Sequence, residues 1–116
     1  MSLEQFLNIV ACIALILFGV YALLRPYETA QIVHLKPEDA NGTAEVRINF
    51  GGLSLMMGIA PLLLNDPAAY QVVGIAFLGA FVTRLLTLVL DHPQTGSTFI
   101  ISGVFELVVG LILLLR

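Results

Sequence analysis

Charge is what this chain has least of. Of its 116 residues, 11% are Asp, Glu, Lys or Arg, where a soluble domain carries about 25%. That supply is too small to clothe a water-facing surface, and it excludes an ordinary soluble domain. Basic residues number only five against eight acidic ones, giving a net charge of -3. No basic stripe exists to neutralise phosphates, so a nucleic-acid partner is excluded. The single cysteine, Cys12, rules out an intrachain disulfide. Inside an apolar run, it reads as a small buried side chain. The two histidines, His34 and His92, both lie outside the apolar runs, which excludes a haem held by histidines within the membrane. Also missing are a P-loop, a G-x-G-x-x-G turn after a strand and a nucleophile elbow. Glu45, Asp91 and His92 lack the spacing of any known metal motif. The expectation is a protein with no cofactor, no metal site and no catalytic residue.

What the chain does have is apolar length: 59% of it is hydrophobic, with a mean hydropathy of +0.99. A helix crossing a bilayer needs about 20 apolar residues, and four runs meet that need, at about 3–24, 44–64, 68–90 and 99–115. A β-barrel would alternate apolar and polar residues, and runs such as Leu111-Ile112-Leu113-Leu114-Leu115 do not. The predicted fold is therefore all-α: an up-and-down bundle of four transmembrane helices forming one domain, 1–116. The first run is read as a retained helix and not a signal peptide. Met1-Ser2-Leu3-Glu4-Gln5 carries no positive charge on its side chains, and no A-x-A-like site follows the run.

The connections sharpen this layout. Pro26 with Tyr27, Ile32, Val33 and Leu35 predicts a short interfacial helix over 26–35. Asn41-Gly42-Thr43 reads as a turn and helix start. Asp66 and Pro67 suit the cap and first position of the third helix, and Ser97 or Thr98 suits the cap of the fourth. Gly51 with Gly58, and Gly103 with Gly110, are each two turns apart on one stripe, a spacing that allows close helix packing in lipid.

Short connections make the helices alternate in direction, so the first and third loops share a membrane face. Arg25, Lys36 and Arg47 belong to it, with Arg84 slightly inside. The positive-inside rule then places loops one and three in the cytoplasm and both termini outside. Arg84 lies seven residues before Asp91 and Glu106 seven after Phe99, so each sits about 10 Å from that same face. A charge at such depth must face the bundle, a partner or water. The simplest arrangement is an Arg84 to Glu106 pair. Glu45 and Asn49 share one face of the second helix and complete a predicted polar cluster with them. Arg47, Asp91 and His92 form its rim, and Arg47 is expected to snorkel to the headgroups.

Glu45-Val46-Arg47, Gly51-Gly52, Arg84 followed by Asp91, and Glu106 together resemble a pattern of small bacterial four-helix membrane proteins known as a domain of unknown function. These proteins are similar in size and layout to the DoxX-like group. The resemblance runs from Gly19 onward and implies a four-helix bundle of the bacterial inner membrane, with no reaction attached.

Three functions compete. The first is an accessory or scaffold subunit, packing its glycine-rich faces against a membrane-protein partner or a second copy. The alternative is a binding or transport module for a lipid, a small anion or a proton, with Arg84 holding the anion and Glu106 titrating. An enzyme is the weakest reading, because a general acid needs a reacting partner within reach. Membrane lipid is the one partner common to all three.

Overall fold

A computed structural model describes residues 1–116. The protein is all-helical with no strand. We number its helices α1 (Leu3–Leu24), α2 (Pro26–Ile32), α3 (Ala40–Leu64), α4 (Pro67–Leu90) and α5 (Ser97–Leu114). All but α2 are long and apolar enough to cross a membrane.

Several ends differ from the sequence expectation. α3 starts at Ala40, before Asn41-Gly42-Thr43, because Asp39 is its cap and accepts from the Gly42 amide at 2.9 Å. The polar first turns of this helix lower the local hydropathy without ending the helical bonding, so an apolar window starts too late. α2 stops at Ile32, short of residue 35, and His34 follows with φ 61 in the left-handed region. α5 is preceded by Gly96, so Ser97 is its first helical residue and not its cap. Asp66 does cap α4, accepting from Ala68 N at 2.8 Å, with Pro67 at the first position.

The chain divides into two compact units, Ile9–Asn65 and Met1–Asn8 with Asp66–Arg116. In the first, α1 and α3 lie antiparallel, with α1 presenting the buried stripe Cys12, Leu15, Gly19 and Ala22. The backbones come very close. A Cβ on Gly58 would sit 2.5 Å from the Cys12 carbonyl oxygen, and one on Gly19 would sit 2.5 Å from Leu55 N. Between these two points Ser54 Oγ donates to the Leu15 carbonyl at 3.0 Å. Only small residues permit this approach in lipid, where dispersion and short polar contacts replace the hydrophobic drive.

α3 also contains a π-helical turn, Arg47–Gly52, in which the Leu53 amide donates five residues back to the Ile48 carbonyl. Gly51 in this turn faces Leu23 of α1. Arg47 Nε donates to the Leu23 carbonyl at 3.1 Å. It serves a carbonyl near the end of α1, where Pro26, lacking an N–H, interrupts the helical ladder. Arg47 therefore does not simply reach out to headgroups: its guanidinium ties α3 to α1.

In the second unit α4 and α5 are antiparallel. Gly74 and Gly110 meet, a Cβ on Gly74 falling 2.9 Å from the Gly110 carbonyl oxygen. Phe77 and Phe105 pack edge to face at 6.3 Å between centroids. Each of Gly51, Gly58, Gly103 and Gly110 is thus closed against the protein's own side chains or backbone. The glycine stripes hold the helices of each unit together.

Candidate functional site

Arg84 projects from α4 toward a stripe of α5 formed by Phe99, Gly103 and Glu106, spaced i, i+4 and i+7. Its Nε donates to Glu106 Oε1 at 2.7 Å and its Nη2 to Oε2 at 2.9 Å. This parallel, two-pronged geometry is the strongest form of guanidinium–carboxylate contact. Gly103 makes the room for it, since a Cβ there would lie 3.1 Å from Arg84 Cδ. Phe99 covers the guanidinium, with 4.9 Å from Cζ to the ring centroid. The side chains keep 24% and 15% of their exposure, so the pair is largely withdrawn from its surroundings. Both carboxylate oxygens are engaged, and the pair is neutral as a unit.

Glu45 and Asn49 form a separate pair in the other unit. Asn49 Nδ2 donates to Glu45 Oε2 at 3.0 Å and to the Glu45 backbone carbonyl at 2.9 Å. Within each compact unit, two of the four residues expected as one cluster are paired: Arg84 with Glu106, and Glu45 with Asn49. Of the expected rim, Arg47 is tied to Leu23 as described. Asp91 and His92 are exposed residues that end α4: both amides donate to the Thr87 carbonyl, and His92 has φ 48. No group of three His, Cys, Asp or Glu side chains converges anywhere in the chain.

The sequence reading missed a further polar knot. Asn8 is fully buried; its Nδ2 donates to the Ile112 carbonyl at 2.7 Å, and its Oδ1 accepts from Arg116 Nη1 at 3.3 Å. Arg116 also lies over the Tyr70 ring, 4.3 Å from the centroid, and Tyr70 is buried. An amide in the middle of a Leu/Ile/Val run was the available signal, because an unpartnered amide in hydrocarbon is costly. Its partner, 108 residues on, carried none.

These features define an all-helical protein with four membrane-length apolar helices and an Arg–Glu pair between two of them. The chain belongs to the family described as domain of unknown function DUF4345, whose model matches residues 3–116. No curated protein and no solved structure matches it.

Proposed function

We propose that this protein is an accessory or scaffold subunit of the bacterial inner membrane, whose α4–α5 hairpin docks on a membrane-protein partner. The supporting observation is the closed state of the Arg84–Glu106 pair. A neutral, two-pronged pair with a fitted glycine and an aromatic cover is built to fix one helix against another, and holds no spare cation for a ligand. What the pair steadies is the helix with most surface to offer: 11% of the most apolar stretch of α4 is buried, against 33% for α1. Its exposed residues include Gly79, Ala80 and Thr83, and nothing lies within 4 Å of a Cβ placed on Gly79. Small residues on a lipid-level face are what a second helix packs against. The orientation that places loops one and three in the cytoplasm belongs to this reading, as does the DoxX-like layout.

The test is gentle solubilisation of the full-length chain followed by native mass spectrometry. The expected result is a defined protein complex of fixed stoichiometry, lost in Ala80→Trp with helicity unchanged. A homogeneous particle of one chain and lipid only, in wild type and variant alike, overturns it.

One observation favours the alternative, a binding or transport module for a lipid, a small anion or a proton. Ala80, Thr83, Arg84 and Thr87 line an open groove of about 380 Å³. Both threonine hydroxyls are already donated, Thr83 to the Gly79 carbonyl and Thr87 to that of Arg84. An anion there must displace Glu106 from Arg84. On this reading Glu106→Gln keeps the fold and abolishes uptake of a labelled anion or proton into vesicles.

A further inference from the structure

A concavity within the unit Ile9–Asn65 has no part in the proposed docking. It is an open groove of about 610 Å³ between the segment 35–39 and the first turns of α3, within the 300–1,000 Å³ typical of small-molecule sites. Its apolar lining includes Val46 and Phe50, and its charged lining is of both signs: Lys36, Glu38 and Asp39 from the segment 35–39 and Glu45 from α3, one turn before Asn49. Neither Lys36 nor Glu38 belongs to an ion pair, since the two ion pairs of the protein are Arg25–Glu28 and Arg84–Glu106. Glu45 Oε2 is held by Asn49, which leaves Oε1 for a second donor.

The π-turn contributes Asn49 and Phe50 to this groove. In a regular α-helix, residues 45 and 50 point about 140° apart, at roughly 100° per residue. A ladder that bonds i to i+5 brings positions five apart onto one face. The Arg47–Gly52 turn thereby joins Phe50 to the wall that already carries Glu45 and Asn49. π-turns of this kind recur at functional sites, and here the turn sets a ring beside a carboxylate.

The groove also lies at a definite level. α3 has 25 residues, where about 20 suffice to cross the hydrocarbon. The surplus is at its polar start, whose composition suits the headgroup layer. A ligand for this place carries an ammonium for Glu38 and Glu45, an anionic group for Lys36 and apolar carbon for Val46 and Phe50.

We propose that this groove is a binding site for a zwitterionic phosphoethanolamine group with an attached acyl tail, the ammonium donating to Glu45 Oε1 and Glu38 and the phosphate lying on Lys36. A primary ammonium has hydrogens to donate, whereas a choline headgroup has none. The site therefore distinguishes the two, and it distinguishes both from a purely anionic headgroup.

The full-length chain in detergent, titrated with phosphatidylethanolamine, phosphatidylcholine and phosphatidylglycerol and read by native mass spectrometry, tests this. Phosphatidylethanolamine is expected to bind at least about tenfold more tightly than the other two, as one charge-assisted hydrogen bond is worth. Glu45→Gln is expected to weaken it by about the same factor and to narrow the preference, whereas Lys36→Gln, at the phosphate common to all three lipids, is expected to weaken all three alike, with circular dichroism unchanged in both. A parallel titration with water-soluble phosphoethanolamine separates the sources: binding equal to the lipid's places the recognition in the headgroup alone and overturns the acyl part of the site. Equal affinity for all three lipids, or a preference unchanged in Glu45→Gln, overturns the whole. None of these readouts depends on a protein partner of α4, so either proposal can fail alone.

Discussion

The two compact units face the same problem, polar groups placed where lipid cannot solvate them, and answer it differently. In the unit of α4, α5 and residues 1–8, side chain meets side chain: Arg84 with Glu106, and Arg116 with Asn8 and the face of Tyr70. In the unit of Ile9–Asn65, the side chains that bond between α1 and α3 reach backbone carbonyls instead: Ser54 to Leu15, and Arg47 to Leu23. A backbone carbonyl cannot be removed by mutation, while a carboxylate can. Paired side chains make the unit of α4 and α5 conditional on two residues at once; the unit of α1 and α3 relies on glycine-permitted backbone approach and is sensitive to added volume.

The largest effect separates them directly. Glu106→Leu strands the Arg84 guanidinium, and removing one partner of a largely buried pair costs about 3–5 kcal/mol. The double variant Arg84→Leu with Glu106→Leu should recover most of that loss, read from denaturant titration in mixed micelles. Additive losses across the four-member cycle would show that the pair contributes nothing as a pair. The unit of α1 and α3 should yield instead to a methyl group. Gly58→Ala places a Cβ 2.5 Å from the Cys12 carbonyl, and overpacking of this kind costs about 1–3 kcal/mol. Gly79→Ala, with nothing within 4 Å, should be neutral or stabilising by up to about 1 kcal/mol. Equal losses at the two glycines would mean that helix contact does not govern them. The smallest effect is expected for Ser54→Ala, about 0.6 kcal/mol, the average for a single interhelical hydrogen bond in lipid. A loss several times larger would mean that Ser54 supports more than the Leu15 carbonyl.

The long helices were legible because each fills the hydrocarbon with a nearly unbroken apolar run, and the boundary at Asp66-Pro67 because its cap is local chemistry. The Arg84–Glu106 contact was legible for a related reason: depth along a straight helix is a matter of counting, and equal depth from one face left few other partners. Counting depth did not assign Glu45 and Asn49 to the unit Ile9–Asn65, because equal depth says nothing of which unit a residue packs within. The π-turn was hidden as well. Nothing in Arg47-Ile48-Asn49-Phe50-Gly51-Gly52 specifies i to i+5 bonding, and the turn re-aims every residue after it by about one position. The knot at Asn8 depends on a contact across 108 residues, which no local pattern encodes.

That last contact bears on the order of assembly. Residues 9–65 form a continuous stretch whose contacts are all available once the second long helix has been made. The other unit is discontinuous, and Asn8 finds its partners, the Ile112 carbonyl and Arg116, only after α5 has been threaded into the membrane. Domains generally fold in the order of synthesis, so α1 serves two assemblies in turn. Its later residues engage α3 early, while the amide at its start must wait in an unfinished state until the rest of the chain has been inserted.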